Sequence, residues 1–319
     1  MTIPCLLRRA VCMLALGWLL ALAGCATPQA LALRHTSVAQ SLVPQAEVPG
    51  VPFFAQKEYE CGPAALAMAL GAADVQVQPD ELVAQVYLPA RKGSLQVEML
   101  AATRQRGLLP YTLAPRLDVL MQELAAGHPV LVFQNVSLPI YPMWHYAVAI
   151  GYDLERNTIT LHSGETARME MSLFTFERTW ARGHYWAMLA LKPDQLPATA
   201  DAPGMARAIA PLEAQQPQAA RTAYQTALAR WPQHAQLQFG LGNAAYALGD
   251  KVAAVAAYQV AVQQQPDFAD AWNNLAQTQF DLGQLQSAKE AIAQAVALGG
   301  VRAAQYLQLQ AEIAVRAGP

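Results

Sequence analysis

A 34-residue period in the C-terminal third limits what this chain can fold into more than any other feature. Pro232 and Pro266 are 34 apart, as are Gly249 and Gly283, Gly242 and Ala276, Ala254 and Ala288, and Ala261 and Ala295. One period earlier, Ala220 precedes Ala254, Tyr224 precedes Tyr258 and Ala227 precedes Ala261. Small residues at fixed places let two helices approach closely. A glycine then ends the first helix of each pair, and a proline follows the second. Such a unit is too short to bury its own apolar face, so copies must stack. The simpler alternative is an ordinary alanine-rich helical hairpin bundle.

Residues 235–267 resemble a tetratricopeptide repeat throughout, and residues 269–300 are a second copy with Trp272 at the place of the motif's aromatic. Gly300 stands where the motif closes on proline. A degenerate half-repeat precedes the pair, and Arg302 to Arg316 reads as a capping helix. The resemblance implies an all-α solenoid over residues 205–319 that binds a protein partner in its groove.

The chain has 319 residues, 54% apolar and 14% charged, with a net charge of −2. That length suits two domains. No block of Lys or Arg stands out, which disfavours nucleic acid and anionic membrane surfaces as partners.

The N-terminus reads as a targeting segment. Arg8 and Arg9 form a basic region, Ala10 to Leu22 an apolar one too short to span a bilayer comfortably, and Leu22-Ala23-Gly24-Cys25 follows in register. This resembles the lipobox of bacterial lipoproteins. The resemblance implies a signal peptide over 1–24 and an acylated Cys25. Because Ala26 and not Asp follows, it also implies the outer membrane, with the protein facing the periplasm. Residues 25–48 are then a tether and residues 194–204, with two prolines and small residues, a linker. Cys5 and Cys12 leave with the signal, so Cys61 is the only free thiol expected in the mature chain, worth flagging as reactive in an oxidising compartment.

Cys61 is the centre of the remaining segment, 49–193. Pro49 and Pro52 keep the preceding run extended, and Ala64 to Leu70 are good helix formers. Pro63 falls where a first helical turn tolerates it. Cys61 is therefore expected at a helix N-terminus, where orphan N–H groups and the positive dipole end favour a thiolate and lower the thiol pKa. The alternative is a small hydrophobe opening a buried helix. Helices are expected first (Pro79 to Val86, Gln96 to Gln105, Leu117 to Leu124) and strands second (Val130 to Phe133, His145 to Tyr152, Thr158 to Leu161, Tyr185 to Leu191), with a short helix at Leu173 to Trp180. This is an α+β order.

Cysteine catalysis needs a base and an oxyanion donor. Gln56, Glu60-Cys61-Gly62-Pro63-Ala64-Ala65-Leu66 and His145-Tyr146-Ala147-Val148-Ala149-Ile150-Gly151-Tyr152 resemble the bacteriocin-processing, double-glycine-leader peptidases, which are papain-like cysteine peptidases. The resemblance implies a papain-like fold with Cys61 as nucleophile, His145 as base and Gln56 as the oxyanion side chain. The family usually has Asp where Glu60 stands, and Gln six residues before the cysteine where the interval here is five. It carries Asp-Pro on the returning strand to orient the histidine; here that place reads His162-Ser163-Gly164. Ser163 can accept from an imidazole, and Glu165 can serve instead if Tyr152 pairs with Thr158, which puts 165 opposite His145. His184-Tyr185-Trp186 mimics the His145 motif. No Cys/His set has zinc spacing and no phosphate loop occurs, so neither metal nor cofactor is expected.

Two functions follow. One is an envelope-anchored cysteine peptidase that hydrolyses a peptide bond through a thioester, its repeats holding a peptide or protein. The other is an impaired peptidase-like lipoprotein acting as a scaffold through its repeats.

Overall fold

A computed structural model describes residues 27–33 and 41–318. The signal segment and Cys25 lie outside the described residues. The chain begins with helix α1 (Pro28–Leu33), strand β1 (Gln45–Glu47), helix α2 (Cys61–Ala72), α3 (Pro79–Val86), α4 (Gln96–Gln105) and strand β2 (Leu109–Thr112). Helix α5 (Leu117–Ala125) leads into β3 (Val130–Asn135), β4 (Trp144–Asp153), β5 (Thr158–Ser163) and β6 (Thr166–Ser172). Helix α6 (Leu173–Arg182) and strand β7 (Ala187–Leu191) close this part. Helices alone follow: α7 (Ala202–Ile209), α8 (Pro217–Arg230), α9 (Ala235–Ala247), α10 (Lys251–Gln264), α11 (Ala269–Asp281), α12 (Leu285–Leu298) and α13 (Ala303–Ala317). No described helix is long and apolar enough to cross a membrane.

By compactness the chain divides into two units. One holds residues up to 72, 89–93 and 113–188; the other holds 73–88, 94–112 and 189–319.

In the first unit a curled antiparallel sheet is built on β4. Strand β3 pairs with its first half, from Asn135↔Trp144 to Val130↔Ala149, and β7 pairs with the far side of β3. Strand β1 takes over along the second half, from Glu47↔Gly151 to Gln45↔Asp153. Strand β5 lies on the opposite edge of β4, and β6 follows it. The sequence did not suggest β6: Thr166 to Ser172 holds only two large apolar residues, Met169 and Met171, and these alone in the strand are half-buried. Gly151 is needed where β1 crosses, because a Cβ there would lie 2.6 Å from the Ala46 carbonyl oxygen.

The hairpin register also differs from expectation. Thr158 pairs with Asp153, not Tyr152, and a bulge between Ala149 and Gly151 shifts the register by one residue before Val148↔His162. Bulges bend a strand and change which side chains face one another.

Helix α2 is buried from Gly62 through Leu70. A helix apolar on every face belongs inside, and this one packs on β4.

The expected tether over 25–48 is corrected by the fold. Among its described residues, Ala30 and Leu33 are buried and Gln45 to Glu47 form β1. The fully buried Glu177 carboxylate accepts from the Gln29 and Ala30 amides at 3.0 and 2.6 Å, which satisfies the open N-terminus of α1. Gln29 in turn accepts from Leu117 N–H at 2.6 Å, at the start of α5. Reciprocal capping of this kind needs partners far along the chain, so local composition does not reveal it. Glu177→Ala is expected to cost about 2 kcal/mol, the scale of hydrogen bonds to a charged group. It should also open residues 27–33 to limited proteolysis. An unchanged melting temperature and digestion pattern would mean α1 is not held this way.

In the second unit the helices from α7 onward form the repeat stack, with α9/α10 and α11/α12 as the paired copies and α13 after them. Helix α7 begins inside the segment read as a linker, capped by Asp201, and its Met205 and Ile209 are fully buried. Gly242 allows the close approach the period implied, since a Cβ there would meet the Tyr258 ring at 2.5 Å. A polar chain threads the stack. Tyr224 Oη donates to Glu213 at 2.6 Å and Asn243 Nδ2 donates to the other Glu213 oxygen at 2.9 Å. Tyr258 Oη and Asn274 Nδ2 both donate to Asn243 Oδ1, at 2.8 and 3.0 Å.

Candidate active site

Cys61 is the first residue of α2, with Tyr59 at φ 64 turning the chain into it. Its neighbours are set by an unpaired edge of β4. Phe133 and Tyr146 are opposite each other, yet the Phe133 N–H goes to Trp186 O on the other side of β3. They are thus a non-hydrogen-bonded pair, and the peptide groups of Tyr146 face away from β3. On that far side β5 has already ended: pairing stops at Val148↔His162, and Ser163 pairs onward with Thr166 across the Gly164-Glu165 turn.

The segment before α2 fills the gap. Gln56 Nε2 donates to Tyr146 O at 3.2 Å, while Gln56 N–H donates to Gly164 O at 3.1 Å. His162 anchors the same segment further up. Its Nδ1 accepts from Arg168 N–H at 3.2 Å, so Nε2 carries the hydrogen and donates to Val51 O at 3.3 Å. The Tyr146 backbone also hydrogen-bonds the Cys61 sulfur. Cys61 and Gln56 therefore both reach the main chain of Tyr146, the sulfur at its N–H and the Gln56 amide at its C=O, next to His145.

His145 Nε2 lies 2.9 Å from Ser163 Oγ. The two share a face of the sheet: the bulged register sets Ser163 diagonally across from His145, within side-chain reach. Glu165 sits exposed in the turn. The register that would have brought it opposite His145 ends before reaching it.

The electrostatics reverse one expectation. Burial pushes the Cys61 thiol pKa up, against hydrogen bonds from the Tyr146, Gly62 and Cys61 backbones that pull it down. A helix N-terminus favours a thiolate, but desolvating the charge outweighs it here. Burial likewise lowers His145, to about 4. Both shifts favour the uncharged thiol and imidazole in the resting site.

The other histidines lie elsewhere. His128 Nδ1 is 2.8 Å from buried Glu123, and His234 caps α9 through Leu237 N–H at 3.4 Å. His184 is exposed in the turn after α6, and His35 lies outside the described residues. Trp144 stacks on Phe133 at 5.2 Å beside His145, and Tyr141 is 81% exposed, so neither closes the site over. Cys61 is the only free cysteine among the described residues, and no three His, Cys, Asp or Glu among them could hold a metal ion. What residue types could not disclose is the part played by Tyr146, since its contribution is its backbone N–H and C=O.

Residues 48–188 match the Peptidase_C39 like family, and residues 205–269 and 257–290 match two tetratricopeptide repeat families. No curated protein matches the chain. Among solved structures, it is similar to a C39-like peptidase from Bacillus anthracis, at 16% identity over 46% of this chain and 98% of that one, with a TM-score of 0.39. A double-glycine-motif protease from an AMS/PCAT transporter, in complex with the leader peptide, is 19% identical over 46% and 96%, with a TM-score of 0.34. The TPR2B domain of yeast Sti1, in its pHsp70 complex, is 23% identical over 35% and 98%, with a TM-score of 0.32.

Proposed function

We propose that this chain, which joins a C39-like peptidase domain to tetratricopeptide repeats, is a cysteine peptidase whose repeats hold a peptide or protein. The observation that carries the reading is the convergence of the Cys61 sulfur and the Gln56 amide on the main chain of Tyr146, beside a His145 ring tied to Ser163.

With Nε2 engaged by Ser163, Nδ1 of His145 is the atom left to move a proton. As the Cys61 sulfur attacks the scissile carbonyl, Nδ1 takes the thiol proton, and a C–S bond forms. The oxyanion faces the second Gln56 N–H and the amides at the start of α2. Collapse breaks the C–N bond, and the proton passes from Nδ1 to the departing amine. Water, deprotonated by the same nitrogen, then cleaves the thioester. Ser163 is uncharged, so it orients the imidazole without offsetting the imidazolium as a carboxylate would.

That last point favours the second reading, in which catalysis is impaired and the repeats act as a scaffold. Lipidation at Cys25 and a periplasm-facing outer-membrane location rest on the N-terminal motif alone.

One experiment addresses all three: labelling by a thiol-directed activity probe across pH, in fractionated cells. His145 must be neutral to accept a proton, so labelling of the wild type should hold a plateau through neutral pH and fall away only near its value of about 4. His145→Ala should lose the plateau and react only as the raised thiol ionises at alkaline pH. Identical profiles would favour the scaffold. Cys25→Ala should move the labelled protein from the membrane pellet to the supernatant, and a band that stays in the pellet would refute the anchor.

A further inference from the structure

Helices α10, α11 and α12 enclose a groove of about 530 Å³. Its origin is visible in the sequence. The repeat motif runs W-x₂-L-G-x₂-Y, and the second copy supplies Trp272, Leu275 and Ala276, then Gln279 where the motif has tyrosine. The shorter side chain leaves space among Val262, Leu275 and Ala291. Gln279 is only 5% exposed, and its Oε1 is buried without a hydrogen-bond partner. A buried carbonyl of this kind costs stability unless something donates to it.

The surroundings say what kind of donor. No lysine or arginine lines the groove, whereas Glu290 stands at its rim. Gln286 Nε2 donates to one Glu290 oxygen at 2.8 Å, which leaves the other available. Trp272 contributes an indole to the wall, held in place by its Nε1 donating to Pro266 O at 2.9 Å. A buried acceptor, a carboxylate and an indole with no competing cation suit a positively charged donor on an apolar stem.

We propose that this groove receives a basic side chain, arginine or lysine, of a protein partner: the stem lies on Val262 and Leu275, and the cation meets Gln279 Oε1 and Glu290. The inference rests on the repeat unit alone, so its failure leaves the cysteine chemistry standing, and the reverse holds too.

The test titrates the full chain with N-acetyl-arginine amide and N-acetyl-lysine amide, using N-acetyl-norleucine amide as the uncharged control and following side-chain NMR shifts. Saturable binding of the two basic amides is expected, about tenfold tighter than the control, as loss of one charge-assisted hydrogen bond implies. Gln279→Tyr restores the motif residue, fills the groove and should abolish the response while the fold persists. Glu290→Gln should weaken the basic amides and leave the control unchanged. Equal response to all three amides, no saturable response to any, or an unaltered response in Gln279→Tyr would each overturn the assignment.

Discussion

Cys61→Ser should lower peptide hydrolysis by roughly 10⁴-fold or more, the scale seen when a covalent nucleophile is removed from a coupled site. The reason is specific to this environment. Burial raises the thiol and lowers His145, so the ground state is uncharged and the base must act during attack. A serine hydroxyl is a far weaker acid than a thiol, and His145 at about 4 is too weak a base to activate it. Turnover of an internally quenched peptide library, wild type against variant, measures the loss. Residual activity within tenfold of wild type would mean that another group attacks the substrate.

Asn243→Leu should destabilise the repeat unit by about 4 kcal/mol, within the range found when a buried charge or network loses its partner. Three bonds go at once: the one Asn243 donates to Glu213, and those it accepts from Tyr258 and Asn274. The Glu213 carboxylate is left with Tyr224 alone, in a place where burial already lifts its pKa above the usual carboxylate range. The pH dependence follows from that sign. A carboxyl raised by folding contributes stability below its unfolded pKa and loses it as pH rises through the folded value. The deficit in the variant should therefore be smaller at about pH 5 than at about pH 8, where the carboxylate must stay ionised and half-paired. Urea unfolding at both pH values reads this. A deficit below about 1 kcal/mol that does not change with pH would show the network to be dispensable.

The repeats were the most legible part of the chain, because a fixed period imposes the same small residue at each close contact, as Gly242 does against Tyr258. Helix α2 and strand β3 were legible because apolar runs bounded by Gly and Pro leave few alternatives, and β4 and β5 because alternation around Tyr146, Val148 and Ile150 meets a turn and then a β-rich return. Strand β6 and helix α1 were not. The first buries little, and the second depends on Glu177, distant in sequence, for its cap. At the site, residue types and order pointed to Cys61, Gln56, His145 and Ser163. Their protonation did not follow from helix geometry, because desolvation depends on everything packed around a group. The place of Glu165 hinged on where β4 and β5 stop pairing, at Val148↔His162 ahead of the Gly164-Glu165 turn, which no propensity predicts.

The edge of β4 left open by β5 has a consequence for anyone dissecting this protein by substitution. Cys61 and Gln56 both bond the main chain of Tyr146, one at its N–H and the other at its C=O, and alanine scanning cannot delete either group. Position 146 will register in such a scan only through its ring, as a packing defect. An amide-to-ester exchange at the His145–Tyr146 bond, with every side chain intact, would remove the N–H that faces Cys61 and isolate what it contributes.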